Sequence, residues 1–425
     1  MQYEMKDSRI EWLGAIPSHW EIKRGKNCLT LLSRSVLDDD DIITCFRDGE
    51  VTLRKNRREE GFTNALLEIG YQGVNAGDLV VHGMDGFAGA IGISDSRGKA
   101  SPVLNVMDSP NCKRFLMYYL RSLANKEVFL SLSTGIRVRS CDLRWNKLAV
   151  LPFILPSLPE QTAIAAYLDE KCGTIDEIIA EAKASIEEYK AWKSSVIFEA
   201  VTKGLDPHAE MKDSGVEWIG KVPRHWKVCT LKRLCSQITD GSHFSPETVD
   251  DGFPYITAGD VSGKGLNYAA TKKISTEDFE NLQRAGCRPY KGDVLLVKDG
   301  ATTGRTGLMI DDTPCVALSS VAILRPAATV NSAFLMYLMM SELLQFQIRM
   351  SMAGSAMPRT TLSKLVEYKA LFCENEEQLD IVKYLDEKCA AIDGIIAEKE
   401  ALIADMEAYK KSLIFETVTG KRKVC

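Results

Sequence analysis

Two polar loops carry the side chains best suited to bind a ligand through hydrogen bonds and charge. They are residues 131–140, which include Arg137 and Arg139, and residues 351–361, which include Arg359. Glycine, serine, threonine and arginine on a loop can donate hydrogen bonds to phosphate oxygens, and arginine can donate two hydrogen bonds to guanine. Because an ordinary solvated loop has a similar composition, the loops alone leave both interpretations open.

Motifs typical of catalytic sites do not occur in the sequence. It has no Gly-x-x-x-x-Gly-Lys-Ser/Thr phosphate loop, no Asp/Asn-Pro-Pro-Tyr/Phe methyltransferase motif and no glycine-rich cofactor turn. Glu181-Ala-Lys183 superficially matches the end of a nuclease site but lies on a predicted helix, where charged faces are normally solvated. The five histidines and twelve cysteines offer no zinc spacing. We predict no catalytic and no metal-binding residues.

The chain that positions these loops is a tandem duplication. The segment from Met5 to Trp20 returns without a gap from Met211 to Trp226, and a second block that starts at Glu160 returns from Glu377. We call these repeated segments the frames, and the strongly diverged segments 31–158 and 237–375 the inserts. Frames that repeat around diverged inserts indicate a shared role for the frames and an individual role for each insert.

The second frame block predicts a long helix in each half. Apolar residues follow a 4-3 spacing over about four heptads, which is typical of a coiled-coil seam. The predicted seam residues are Leu168, Ile175, Ile179, Ile186, Leu385, Ile392, Ile396 and Ile403. A helix of roughly 40 residues is about 60 Å long, more than one small domain can cover, so pairing of the two helices is favoured over packing on separate domains. Antiparallel pairing is the simpler expectation, because a whole domain connects the end of one helix to the start of the other.

The first frame block has a histidine and a tryptophan side by side in each half. They are His19 with Trp20, and His225 with Trp226, each pair preceded by glycine and proline. A catalytic or stacking site is one interpretation. A packed structural clasp is favoured, because the pair recurs in both frames without a pattern of acidic or cysteine partners.

The inserts mix short apolar runs with turns and share one order of elements. Residues 77–81 and 89–93 surround an Asp-Gly turn in the first insert, and residues 292–297 and 307–310 surround one in the second. This order predicts diverged versions of one α+β fold, each with a short helix before its polar loop.

Composition and charge limit the functional class. The 425 residues are 45% hydrophobic and 26% charged, no apolar run approaches the length of a membrane span, and no signal peptide is apparent. We predict a cytoplasmic protein with reduced cysteines. The net charge of −5 conceals −4 on each of segments 160–204 and 377–421, so the remainder carries +3. This partition weakly favours nucleic-acid contact outside the predicted helices.

In combination, these features resemble the specificity subunits of Type I restriction-modification systems. The resemblance covers essentially the whole chain: the Trp-Leu/Ile-Gly-x-Ile/Val-Pro-x-His-Trp opening, the diverged insert, the proline-rich exit at 151–159 into Glu160-Gln161, and the long helix. The second copy departs from the pattern at Cys373-Glu374-Asn375, where the prolines are lost.

The resemblance implies a fold class and a function. The fold is α+β, with two target-recognition domains of mixed α/β type separated by two long antiparallel coiled-coil helices in an internal pseudo-two-fold repeat. The predicted segments are 1–158 and 205–375 for the domains, and 159–204 and 376–425 for the helices. Each domain of that family reads one half of a split site in double-stranded DNA, and the helices space the halves.

The resemblance also implies partners and the location of their cofactors. The helices bind two modification subunits, which carry S-adenosylmethionine and methylate adenine, and separate restriction subunits use ATP and Mg to translocate and cut DNA. No cofactor is expected in this chain. The predicted DNA-binding residues are Arg137, Arg139, Arg144, Lys147, Lys298, Arg305, Arg359 and Lys364. Two alternatives stay open: a fused or degenerate restriction-modification enzyme, and a coiled-coil scaffold without a DNA role.

Overall fold

The computed structural model describes residues 3–57, 68–131, 143–263, 265–269, 271–352 and 358–424. The chain divides into two compact units. Unit 1 comprises Met1–Lys183 and Glu400–Cys425, and unit 2 comprises Ala184–Lys399. Each unit therefore contains one insert and a segment of both long helices. The sequence-based division into four segments stays a prediction.

Unit 1 is built on a four-stranded antiparallel sheet in the order β4-β11-β8-β9. Its strands are β1 (Met5–Asp7), β2 (Ala15–Pro17), β3 (Glu21–Arg24), β4 (Thr30–Leu31), β5 (Ile43–Cys45), β6 (Val51–Leu53), β7 (Gln72–Val74), β8 (Leu79–His82), β9 (Ile91–Ile93), β10 (Gly98–Ala100), β11 (Leu104–Asp108) and β12 (Pro152–Leu155). The predicted strand, Asp-Gly turn and strand correspond to β8 and β9, which pair from Leu79 opposite Ile93. The apolar run of β8 is buried because the sheet is covered on both faces.

The helices of unit 1 cover this sheet. They are α1 (Lys113–Asn125), α2 (Val128–Ser131), α3 (Trp145–Leu148) and the first part of α4 (Leu158–Lys203). Phe115 and Tyr119 of α1 are fully buried, four residues apart on one helical face. Phe115 packs edge-on against Trp20, with ring centroids 6.4 Å apart, so the insert helix and the opening motif share one core.

Unit 2 repeats this architecture with additional strands. Its four-stranded sheet has the order β16-β24-β21-β22, and a three-stranded sheet has the order β20-β17-β23. The strands are β13 (Met211–Asp213), β14 (Lys221–Pro223), β15 (Lys227–Thr230), β16 (Cys235–Asp240), β17 (Phe253–Ile256), β18 (Val261–Ser262), β19 (Gly265–Leu266), β20 (Lys273–Ile274), β21 (Val294–Val297), β22 (Thr306–Leu308), β23 (Val316–Ala317), β24 (Val321–Pro326) and β25 (Lys369–Phe372). The predicted hairpin around the Asp-Gly turn is β21 and β22.

The helices of unit 2 include a break that the sequence does not predict. They are α5 (Leu231–Leu234), α6 (Thr276–Arg284), α7 (Ser332–Met340), α8 (Glu342–Met352), α9 (Leu362–Leu365) and part of α10 (Asn375–Val418). The sequence predicts one short helix before the polar loop, but the backbone of Ser341 is extended and separates α7 from α8. The Ser341 hydroxyl donates to the Leu338 carbonyl and compensates part of the lost helical hydrogen bonding.

The two long helices lie antiparallel in unit 1. Gly420, just after α10, lies beside Pro17 and Trp20, and the indole of Trp20 binds Glu160 at the start of α4. Further along, the ammonium of Lys410 donates to the carboxylate of Asp176 at 2.6 Å. As α4 runs from residue 160 to 176, α10 therefore runs from 420 to 410.

Unit 2 shows the same antiparallel arrangement. Gly204, just after α4, lies beside Glu377 near the start of α10, and Lys193 donates to Asp393 at 2.7 Å. Gly204 has a φ of +74°, a conformation that favours glycine directly after a helix and ends α4 there. Among the described residues, no helix has the length and apolarity needed to cross a membrane.

The described cysteines are reduced. No disulfide joins the ten cysteines in the part of the chain that the structure describes. Burial raises the pKa of Cys28 to about 11 and that of Cys45 to about 12, so these thiols stay protonated near neutral pH.

Candidate nucleic-acid interface

The paired histidine and tryptophan of unit 1 form a clasp on the start of α4. Glu160 is almost fully buried and accepts hydrogen bonds from the hydroxyl of Tyr3 at 2.7 Å and the indole of Trp20 at 3.1 Å. The ring of His19 lies 3.2 Å from the second carboxylate oxygen. These contacts fix the opening motif to the frame helix and support the structural interpretation of the pair.

Unit 2 repeats the clasp. The indole of Trp226 donates to Glu377 at 3.0 Å, and the ring of His225 lies 2.9 Å from the same carboxylate. Sequence reasoning missed the glutamate as the partner, although a glutamate starts both repeated helix blocks. That coincidence was the available signal.

The glutamine beside each clasp glutamate attaches the insert to the frame. Gln161 accepts from the amide of Cys112, which precedes α1, and donates to the carbonyl of Pro156 at 2.9 Å. Gln378 likewise accepts from the amide of Asn331, which precedes α7, and donates to the carbonyl of Cys373. Because only a backbone carbonyl is used, replacement of proline by Cys373 leaves this geometry unchanged.

A second contact joins each insert helix to its frame helix. Tyr118 of α1 donates to Asp169 at 2.7 Å, and Tyr337 of α7 donates to Asp386 at 2.6 Å. Burial and the neighbouring carboxylate raise the pKa of both phenols, so both stay protonated. The frame therefore holds the same face of both inserts and leaves the Asp-Gly turns clear of these contacts.

In unit 1, the Asp-Gly turn lies against the end of the polar loop. The amide of Leu143, the first described residue after that loop, donates to the carbonyl of Gly83 in the turn at 2.8 Å. The side-chain amide of Asn105 donates hydrogen bonds to the backbone carbonyls of Val81 and Leu143, which fixes the loop exit to β8. Gly83 and Leu143, which are 60 residues apart in sequence, are thus brought together.

Unit 2 brings the equivalent features together. The amide of Gly300 in the turn donates to the carbonyl of Pro358 at 2.9 Å, and the amide of Thr360 donates to the carbonyl of Lys298 at 2.9 Å. The exits of both predicted binding loops therefore lie beside the Asp-Gly turns of their own units.

The predicted residues of the first insert divide between described and undescribed parts of the chain. Arg137 and Arg139 lie outside the described residues. Arg144 is exposed just before α3, and Lys147 is half-buried within α3. Both follow the loop exit, and their contact with DNA stays a prediction.

The predicted residues of the second insert have different environments. Arg305 is exposed at the end of the turn, Arg359 pairs with Asp299, and the ammonium of Lys364 donates to the carbonyl of Ser351 at 2.7 Å. Contact of these three with DNA remains a prediction.

Lys298, which was predicted to bind DNA, is buried and has a structural role instead. It is 2% exposed, and its ammonium lies 2.9 Å from Asp299 and 3.4 Å from Asp240. A buried ammonium between two carboxylates organises the turn and is not available to a ligand in this conformation.

The predicted seam residues lie mainly inside the helix pair. Those of α4 are buried, as are Leu385 and Ile392 of α10, whereas Ile396 and Ile403 are half-buried. In α4 the buried positions Leu168, Ile175 and Ile179 keep the 4-3 spacing. The 4-3 pattern continues through Lys193 and Lys410, which form the two ion pairs between the helices.

The structure adds a basic cavity in unit 1 that sequence reasoning missed. The cavity has a volume of about 760 Å³ and is lined by Arg47, Arg54, Arg57, His82 and Asp85. Its arginines come from the hairpin of β5 and β6 and the turn that follows. The signal in the sequence was the concentration of basic residues at 47–58, which had no predicted element to place it.

Comparisons with known proteins show which proteins this chain is similar to. Residues 223–403 match the Type I restriction modification DNA specificity domain. The MjaVIII specificity subunit of a Type I restriction enzyme from Methanocaldococcus jannaschii is 27% identical over 362 residues, which are 83% of this chain and 78% of the relative. This chain is therefore similar, in sequence, to the specificity subunits of Type I restriction-modification systems.

Two solved structures share the fold of this chain. A chain from a study of complex assembly and conformational transition of the type I R-M system superposes with a TM-score of 0.71 at 15% identity, covering 96% of this chain and 99% of that one. The HsdS subunit from Thermoanaerobacter tengcongensis gives a TM-score of 0.50 at 16% identity, covering 98% and 100%. The predicted fold class, with two recognition domains and long antiparallel helices, is confirmed.

Proposed function

We propose that this chain is a specificity subunit that reads a two-part site in double-stranded DNA, one half with each insert. The observation that carries the proposal is the contrast between frames and inserts. The same glutamine contact and the same tyrosine–aspartate contact hold each insert to its frame helix, while the turn and loop exit that come together on the insert differ in sequence between the units. Surfaces that differ in sequence on a repeated support suit two different half-sites.

The chemistry of the two surfaces supports DNA as the ligand. Arginine, lysine, serine and threonine side chains at the turns and loop exits can donate to phosphate oxygens, which position a protein on the duplex, and arginine can also read base edges. The candidates Arg137, Arg139, Arg144, Lys147, Arg305, Arg359 and Lys364 are of this type.

The proposal assigns catalysis to partner subunits. In it, the specificity subunit is non-catalytic and cytoplasmic, two modification subunits hold S-adenosylmethionine and methylate adenine, and restriction subunits use ATP and Mg. The absence of phosphate-loop and methyltransferase motifs from the sequence supports this division. The proposal therefore expects no methylation by the isolated chain and sequence-specific methylation once modification subunits are added.

An exchange of one insert tests the proposal. Residues 31–158 are replaced by the equivalent insert of a relative that recognises another site, and methylated adenines are mapped by sequencing in cells that carry the intact system. We expect one half of the recognised site to change while the other half and the spacer length stay the same, because the frames remain.

The reciprocal exchange of residues 237–375 is the matched control and should change the other half only. Altered specificity in both halves, or in neither, contradicts the proposal. Methylation by the isolated chain would contradict the assignment of catalysis to partners. Absence of a DNA footprint in the presence of all partner subunits would favour the scaffold alternative.

A further inference from the structure

We propose that an arginine–aspartate pair on the Asp-Gly turn of each unit reads a G·C base pair in one half of the DNA site. The pair is Arg47 with Asp85 in unit 1 and Arg359 with Asp299 in unit 2. This inference rests on the proposed function and adds the residues and the base pair that they recognise.

The unit 1 pair faces the basic cavity. Arg47 donates from one Nη to Asp85 at 2.9 Å, and 59% of the arginine side chain remains exposed. The turn that carries Asp85 is itself fixed, because Nδ1 of His82 accepts the backbone N–H groups of Met84 and Asp85 at 3.2 and 3.0 Å. The carboxylate is held in place, while most of the guanidinium donors stay available for a ligand.

The unit 2 pair has the same chemistry on the equivalent turn. Nε of Arg359 lies 2.9 Å from Oδ1 of Asp299, and 57% of the arginine side chain is exposed. Asp299 is fixed on its other side by the buried ammonium of Lys298. Within the described residues, the buried Oδ1 of Asp299 receives no hydrogen bond of suitable geometry, so one acceptor of this carboxylate is left unsatisfied.

The two arginines come from different parts of their inserts. Arg47 follows strand β5, whereas Arg359 lies at the exit of the polar loop before α9. A shared ancestor does not explain the recurrence of a pair assembled from non-equivalent segments. Stability does not explain it either, because exposed ion pairs contribute little to folding. A common ligand on both turns accounts for the recurrence.

The donor and acceptor pattern of the pair selects G·C among the base pairs. In the major groove guanine presents two acceptors, N7 and O6, which an arginine can bind with two parallel N–H groups. Cytosine presents the N4 amino donor, which a carboxylate can accept. An arginine and an aspartate side by side supply both complements, whereas adenine and thymine offer no such pattern to this pair.

The surroundings of the unit 1 pair fit a DNA surface. Arg57 stacks over the ring of Phe46, with its guanidinium carbon 4.3 Å from the ring centroid, and borders the same cavity. A stacked guanidinium keeps a fixed plane, which suits contact with a phosphate oxygen beside the base that Arg47 reads. Asp48 and Glu50 pair with Arg57 and would have to yield to that phosphate.

The test is the sequence preference of methylation by the intact complex with single substitutions. Arg47→Ala should lower the preference for G·C roughly 5-fold to 100-fold at one position of one half-site, with the other half and the spacer unchanged. Arg359→Ala should do the same in the other half. Arg47→Lys and Arg359→Lys keep the charge and the stem but lose the fork of donors, so both should relax the same position as the alanine variants.

Two exposed ion-paired residues outside the turns serve as controls. Lys23→Ala in unit 1 breaks the pair with Glu21, and Arg224→Ala in unit 2 breaks the pair with Glu210, and neither should alter any base preference. The inference is overturned if the half-sites contain no G·C pair, if the arginine variants keep the same preference, or if methylation falls equally at all sequences. If the unsubstituted complex recognises no defined sequence, the proposed function fails as well, which separates the two cases.

Discussion

The frames and the inserts of this chain have diverged to different extents since the duplication. In the frames, contacts are kept residue by residue: the clasp on Glu160 returns on Glu377, and the ion pair of Asp176 with Lys410 returns as Asp393 with Lys193. In the inserts, the fold is kept but the groups at the turn are not, because a histidine organises the turn of unit 1 and a buried lysine that of unit 2.

Within each insert, whether a residue is kept depends on whether it faces the frame helix. Tyr118 and Tyr337 belong to the inserts, yet both are kept because they face the frame helix and donate to its aspartate. Residues at the turn face away from those contacts and differ. The contacts with the frame helix therefore constrain the residues on one face of the insert. The residues on the other face are free to differ between the two units.

The largest effects are expected at the fully buried leucines of the long helices. Leu168→Ala in unit 1 and Leu385→Ala in unit 2 should each lower the free energy of unfolding by about 2–5 kcal/mol, because each leaves a cavity in a packed core. Hydrogen exchange should show each loss within the unit that carries the substitution. An effect spread over both units, or a loss at one leucine only, would break the equivalence of the frames.

The clasp glutamates should give a smaller and unequal effect. Glu160→Gln replaces an acceptor-only carboxylate with an amide, and should cost about 1–3 kcal/mol in thermal or denaturant unfolding. Glu377→Gln should cost less, because 29% of its side chain is exposed compared with 10% for Glu160. Glu170→Gln, on the exposed face of α4, is the control and should have almost no effect. Equal losses at both clasps would contradict the dependence on burial.

The ion pairs between the helices should couple weakly. A double-mutant cycle of Lys193→Met and Asp393→Leu should give a coupling energy of about 0.5–1 kcal/mol, and the cycle of Lys410→Met and Asp176→Leu a smaller one. The unit 1 pair is weaker because 58% of the Asp176 side chain is exposed, compared with 31% for Asp393. The single lysine variants should barely change stability, since methionine suits a seam position. A larger coupling in unit 1 would contradict this ranking.

Much of the frame could be predicted from the sequence because its signals are periodic and repeated. The 4-3 spacing predicted the seam, and the duplication required two equivalent halves. The partner of the histidine and tryptophan could not be predicted, because Glu160 is 140 residues from Trp20 in the sequence and nothing local connects them.

The binding surface was harder to predict because charge in a sequence does not indicate exposure. Lys298 and Arg359 were equally plausible as ligand contacts, but the strand before Lys298 carries it into the interior and the loop exit leaves Arg359 exposed. Arg47 was missed because its role depends on a long-range contact with Asp85, which only the folded hairpin brings within reach.

The smallest expected effect is a difference between the two Asp-Gly turns in how their stability depends on pH. Burial lowers the pKa of His82, and its Nδ1 accepts the amides of Met84 and Asp85. Because the folded state binds fewer protons than the unfolded state below the ordinary histidine pKa of about 6.5, this contribution to stability is complete above that pH and is lost as the pH falls through it. At the matching strand position unit 2 has Val297, which does not titrate.

Hydrogen exchange, corrected for the intrinsic pH dependence of exchange, measures this difference. Between about pH 7.5 and pH 5, the protection of the Met84 and Asp85 amides should fall, while that of Gly304 at the unit 2 turn should stay constant, because its amide donates to the Val297 carbonyl. His82→Asn offers an oxygen acceptor that does not titrate in this range and should remove the pH dependence. Persistence of the acid loss in that variant would assign it to a group other than His82, and an equal loss at Gly304 would show that the two turns do not differ in this respect.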